Sequence, residues 1–168
     1  PPRLRNWEWG FLAAAAHPQS MILRAYDSTN EATYTPDANT IITASREGDV
    51  LFWDANTGRF IESRNFFESR VTSLSINHTG TKLLATSLDR KAVIVDLETR
   101  DVVHRLGTGD VPFRRGAWSH DGQVIAITGH EPNVRLWNAE TGESLGVIGE
   151  FTSGIIEVQF NPVSHQLA

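Results

Sequence analysis

The chain contains no cysteine. Neither a disulfide nor a thiolate metal site can form, so packing must supply its stability. The cytoplasm, a reducing compartment, is the expected setting. Long apolar runs are also missing. The longest, Gly10 to Ala16, is far too short to cross a bilayer. No basic stretch followed by an apolar core and a cleavage site marks a secretory leader. Basic residues are few: 15 Lys and Arg stand against 20 Asp and Glu, a net charge of -5 with no basic block. Nucleic-acid binders carry a basic stripe, so neither nucleic acid nor a membrane is an expected partner. What is present is a globular balance, 40% apolar and 21% charged over 168 residues, enough to enclose a core.

The chain repeats itself. Trp53-Asp54 is followed 42 residues later by Val95-Asp96 and, after the same step, by Trp137-Asn138. Thr57, Thr99 and Thr141 keep that step. So do Ile41, Leu83, Ile125 and Leu167, and the apolar set Tyr34, Ile76, Trp118 and Phe160. From Tyr34 to Ala168 no insertion or deletion is needed to hold the register. A fixed period of this length marks repeated supersecondary units.

Within a copy the apolar period is two, with strong turn signals. In the second copy, Val71–Ile76 alternates and Asn77–Gly80 turns the chain. Lys82–Ser87 is a second strand, Ala92–Asp96 a third and Asp101–Leu106 a fourth. Four short strands in about 40 residues make one antiparallel blade of a propeller. A helical repeat would need apolar spacings of three and four over longer, less β-branched segments.

Residues Tyr34 to Gly58 and Trp118 to Gly142 resemble the turn–strand–turn–strand core of WD repeats, ending in Trp-Asp or a near variant. The middle copy departs, with Val95-Asp96 in that place, and the last copy runs from Ile155 to Ala168. The resemblance covers about 140 of the 168 residues. It implies an all-β, open propeller of four-stranded blades over residues 28–64, 70–106 and 112–149, with a partial blade at 155–168. A segment with an unpaired last edge is expected to aggregate when isolated. Residues 1–18, with an alanine run before His17-Pro18, read as a short helical linker, and 20–26 as a lone outer strand. The string Leu4-Arg5-Asn6-Trp7-Glu8-Trp9 is similar to the junction before the propeller of large bacterial Ser/Thr protein kinases. That resemblance implies a catalytic domain outside this chain, because no kinase signature lies within it.

The repeat phase governs how single residues are read. Glu47, Asp89 and Glu131 share one position. The resemblance makes it the structural acid of the turn before the third strand, in a hydrogen-bonded set with a Trp, a Ser or Thr, and a His. Ser45 and Trp53 match in the first copy, Ser87 and Asp89 in the second, and Trp137 alone in the third. The Gly-His pair of the family is absent, so no set is complete. Trp53, Trp118 and Trp137 are in core phase; Asp54 and Asp96 close the third strand. The six histidines show no helical His pair and have no cysteine to support them, so no metal is expected. Ser119-His120-Asp121 is adjacent in sequence, whereas a triad is assembled in space. Gly107-Thr108-Gly109 lacks the strand-to-helix context of a phosphate loop, and Asn77-His78-Thr79 is read as a turn rather than a glycan acceptor.

The resemblance places partner binding on one rim of the ring. The matching positions are Ser28, Asn30 and Arg46; Arg70, Thr72 and Leu88; Pro112, Arg114 and His130. Arg46, Arg70 and Arg114 then gather on one rim, where guanidinium groups suit a carboxylate or phosphate. The expected function is a non-catalytic protein-interaction or scaffold module with an acidic or phosphorylated peptide partner, no cofactor and no small-molecule substrate. Two alternatives remain: a regulatory propeller of a kinase, and a propeller enzyme with catalytic groups in its channel.

Overall fold

The computed structural model describes residue 23 and residues 29–107, 111–149, 151–164 and 166–168. The helix expected over 1–18 and, Leu23 apart, the strand expected over 20–26 lie outside the described residues, as does the kinase-like string. Twelve strands form three antiparallel sheets in simple sequential order. The first holds β1 (Thr29–Tyr34), β2 (Thr40–Ser45), β3 (Asp49–Asp54) and β4 (Phe60–Asn65). The second holds β5 (Val71–Ile76), β6 (Lys82–Ser87), β7 (Ala92–Asp96) and β8 (Val102–Leu106). The third holds β9 (Phe113–Trp118), β10 (Val124–Gly129), β11 (Val134–Asn138) and β12 (Ser144–Ile148). β8 begins one residue later than the sequence predicts, because the Asp101 carbonyl accepts from the Asp96 amide to close the preceding turn.

Alternation along the middle strands fixes how the sheets stack. In β6 and β7, Leu83, Ala85, Val93 and Val95 face the first sheet and meet Ile42, Ala44, Val50 and Phe52. The other faces of the same strands, Leu84, Ala92 and Ile94, meet Phe113, Ile125, Ile127 and Trp137 of the third. Both faces are thus fully buried, which is why β6 reads as a continuous rather than an alternating burial pattern. The fourth strands β4, β8 and β12 lie at the exposed outside. The first strands of successive sheets, β1, β5 and β9, pack side by side, so the sheets radiate from a common axis as blades. Gly116 permits this approach: a Cβ there would lie 2.6 Å from Leu84 Cδ2.

A fourth unit starts in residues 155–168. Phe160 bridges Leu167, and Gln159 and Ala168 exchange both backbone bonds. Val158 is buried there against Ala126 and Val134 of the third blade.

The turns are built from repeat-equivalent caps. Between first and second strands, Thr35 Oγ1, Asn77 Oδ1 and Ser119 Oγ each accept the amide five residues on. Asn77 is buried, and both ends of its amide are hydrogen-bonded. Ser119 Oγ donates to Asp121 Oδ1, which makes Ser119-His120-Asp121 a turn cap. After the third strand, Asp54, Asp96 and Asn138 each accept the amides two and three residues on. That turn also latches one blade to the one before. Arg100 bonds Glu62 and lies 4.9 Å from the Phe52 ring centroid, and His104, which repeats the position of Glu62, bonds the Glu140 carbonyl in the next blade's turn.

Two outcomes follow. Trp137→Ala should cost about 3–5 kcal/mol in urea unfolding, because its indole fills the seam between the second and third blades. Ile61→Ala, on the exposed outer strand, should stay within about 0.5 kcal/mol. The second outcome concerns acid. Four carboxyls are held below their ordinary values: Asp37 by the Thr35 hydroxyl, Asp54 by the Thr57 hydroxyl, Glu62 by the Arg100 guanidinium and Asp96 by the Thr99 amide. The unfolded chain, with ordinary values of 3.8 and 4.5, takes up protons first as pH falls. Their stabilisation is therefore complete above that range and lost below it. Asp54→Asn with Asp96→Asn copies the third blade, where Asn138 keeps the cap. Melting temperatures between pH 5 and pH 3 should then fall less steeply than those of the unaltered chain.

Candidate functional site at the channel rim

The rim positions owe their direction to an irregularity absent from the sequence pattern. Pairing of each first strand slips by one residue at Asn30, Thr72 and Arg114. A bulge at one repeat position re-aims a side chain while the strand on either side stays in register. Beside these bulges stand the turns between second and third strands. Ser45 Oγ accepts the Glu47 and Asp49 amides, and Ser87 Oγ accepts the Asp89 amide while donating to the Ser69 carbonyl. The inter-blade connector is thereby pinned to the rim, and the Arg70 carbonyl accepts the Leu88 amide. Gly48 at φ 96° allows the connector to cross tightly; a Cβ would sit 2.1 Å from the Phe67 carbonyl oxygen.

Five of the nine rim positions expected from the sequence line one open cavity of about 400 Å³: Arg70, Thr72, Leu88, Arg114 and His130. Arg115 and Ile156 complete it. Arg46 does not line it. Its exposed side chain sits on the first blade's turn, one blade away from a cavity built between the second, third and fourth units. Thr72 Oγ1 is already engaged with Thr86 Oγ1 and the Phe113 carbonyl. The equivalent hydroxyl of Thr128 faces no such partner and is buried without a hydrogen bond, because Arg114 stands where Thr72 stands one blade earlier. Arg114 Nε donates to His130 Nε2 at 3.3 Å. Among the described residues neither Arg70 nor Arg114 has a carboxylate partner, whereas Arg64, Arg100, Arg115 and Arg135 each have one.

Arg115 belongs to a column that sequence reasoning passed over. Glu31, Ser73, Arg115 and Glu157 share one repeat position on successive first strands. Arg115 Nη1 donates to both carboxylate oxygens of Glu31, and its Nε lies 3.5 Å from Glu157. The contact passes over the second blade, whose Ser73 is small and instead accepts the Gly116 amide. The signal was available as a polar column at the 42-residue step, with glutamates in the first and fourth units and an arginine in the third.

The repeat acids do not act alike. Asp89 accepts the Glu68 and Lys91 amides and so staples the connector to the turn. Glu131 pairs with Arg135 at 2.7 Å, and among the described residues Glu47 contributes only its backbone, its carbonyl accepting from Asn65. Trp53 Nε1 donates to Thr43 Oγ1, not to Ser45. Trp53 pairs with Ile41, so its indole reaches the diagonal neighbour Thr43, while Ser45 is two residues further along the strand. Trp137 and Trp118 are buried, the latter donating to the Ser75 carbonyl. Among the described residues no group of three His, Cys, Asp or Glu could hold a metal ion.

No family model matches the chain. It is 26% identical over 142 residues to apoptotic protease-activating factor 1 of Rattus norvegicus, covering 84% of this chain and 11% of that protein. It is 22% identical over 134 residues to guanine nucleotide-binding protein subunit beta-1 of Caenorhabditis briggsae, covering 77% and 39%. A solved structure, "Structure of U3-55K", superposes with a TM-score of 0.77 at 16% identity, over 82% of this chain and 44% of that one. The fold is a WD-type propeller. The chain spans between about a tenth and two fifths of the length of these two curated relatives. The propeller carries the WD dipeptide's acid as a turn cap and the tryptophan of its third copy as an inter-blade filler, as the bonds of Asp54 and the packing of Trp137 show.

The ion column gives a direct check. Glu31→Gln and Arg115→Met, made singly and together, should reveal a coupling of about 0.2–1 kcal/mol, because both groups are partly exposed. The coupling should shrink with added salt. No coupling at low salt would mean that Arg115 is free to turn into the cavity.

Proposed function

We propose that this propeller segment is a non-catalytic protein-interaction surface, and that its rim cavity docks an acidic or phosphorylated peptide. One observation carries the reading: two guanidinium groups, Arg70 and Arg114, border one cavity without carboxylate partners among the described residues, in a chain of net charge -5. A partner's carboxylate or phosphate would find donors there that the protein has not already neutralised. Leu88 and Ile156, in the same lining, offer apolar surface for a neighbouring side chain. Among the described residues the lining holds no carboxylate, its one hydroxyl, on Thr72, is already bonded twice, and its histidine, His130, accepts from Arg114, which favours binding over acid–base chemistry. Relatives named as a protease-activating factor and as a subunit of a larger protein fit a part that works through other proteins.

The test is binding of the chain to an array of acidic, phosphorylated and basic peptides, with affinities of the best ligands measured by fluorescence anisotropy. Arg70→Glu with Arg114→Glu should weaken acidic ligands at least tenfold, and added salt should weaken the unaltered chain's binding too. Equal binding by the double variant would overturn the proposal.

A further inference from the structure

We propose that His78 and His120 form a two-histidine site for a divalent transition-metal ion (zinc, nickel or copper) at the rim opposite the anion cavity. The two residues occupy the same place in the turns β5–β6 and β9–β10, 42 residues apart. In a propeller that step is one blade, so residues distant in sequence become neighbours. Their ring centroids lie 6.1 Å apart with planes tilted by 32°. An ion held 2.0–2.1 Å from a nitrogen of each ring sets the centroids about 5–6.5 Å apart, from tetrahedral to linear arrangement. The observed separation falls inside that range.

Four further features suit a ligand. Both turns are fixed by buried caps, Asn77 in one and Ser119 in the other, so the backbone positions are set before any ion arrives. Both imidazoles are exposed and, among the described residues, neither has a hydrogen-bond partner, unlike His104 and His130, which are engaged. The His78 ring leans across the gap between blades: its Nδ1 lies 3.4 Å from where a Cβ on Gly122 would be, in the turn that carries His120. The pair borders an open cavity of about 340 Å³ that also touches Gln159 and Asn161, leaving room for water to complete the coordination. Imidazole pairs favour zinc, nickel and copper over magnesium or calcium, which demand oxygen ligands. A bound ion would tie the second blade to the third and raise stability by mass action. Helical spacing in the sequence gives no sign of the site, because the relevant period is the blade and not the helical turn.

The probes are Zn²⁺ and Ni²⁺ titrated into the whole chain by calorimetry in a non-chelating buffer, with Mg²⁺ as control and melting temperature as a second readout. Saturable binding of one ion per chain is expected, with a rise in melting temperature that Mg²⁺ does not give. His78→Ala and His120→Ala should each weaken binding at least tenfold and abolish the thermal rise, while His104→Ala changes neither. Melts without metal establish that the variants are folded, and His78→Gln repeats the test with a polar side chain. Absence of saturable binding, or full binding retained by either alanine variant, overturns the proposal.

Discussion

The structure depends on one requirement: the second and third strands of each blade are apolar on both faces, so each sheet must be covered from both sides. β6 and β7 show it most plainly, with Val93 and Val95 against one neighbour and Ala92 and Ile94 against the other. A two-layer sandwich cannot meet that demand, since its outer faces meet water. A radial stack can. Packing the first strands side by side and leaving the fourth strands outside follows from it, as does the close approach of Gly116 to Leu84. The turns then answer a second demand, the capping of backbone amides, and do so with whichever short acceptor each copy carries: Thr35, Asn77 or Ser119.

This explains what could be read in advance. The apolar columns Ile41, Leu83, Ile125 and Leu167, and the set Trp53, Val95 and Trp137, report inter-blade packing, and packing enforces a period visible in sequence. Blade order and strand count were therefore legible, and so was the grouping of Arg70 with Arg114. The bulges at Thr72 and Arg114 were not, because a slip in pairing leaves the spacing along the chain unchanged. The partner of Trp53 was misjudged for a related reason: which hydroxyl an indole reaches is a diagonal relation across two strands, and Thr43 and Ser45 lie on the same face. Arg46 was grouped with the other rim arginines by phase alone. Phase states the height of a residue on its blade, not which gap between blades it enters.

The rim carries two kinds of cation with different freedom. Arg115 spends its charge inside the protein, holding Glu31 and Glu157 on either side. Arg70 and Arg114 line the cavity with no carboxylate partner among the described residues. The distinction is set by sequence column: Arg115 falls in a position that has glutamates in the first and fourth units, whereas Arg114 falls in one with Asn30, Thr72 and Ile156, none of which can neutralise it. One residue of offset on the same strand thus separates a charge that braces the array from charges presented outward.

The slip that produces this offset has a consequence for how such an array changes over time. A side chain in the regular ladder is answerable to its cross-strand partner and to the next sheet, so few replacements are tolerated. The bulged residue leaves the regular ladder, though Thr72 still bonds Thr86 across the sheet and the Phe113 carbonyl of the next blade. Asn30, Thr72 and Arg114 differ in size, charge and hydrogen-bonding capacity, while the strands around them keep the same pairing. Each of the three described blades therefore carries one position at which the side chain differs while the strand pairing stays the same, and duplication of the unit multiplies the number of such positions.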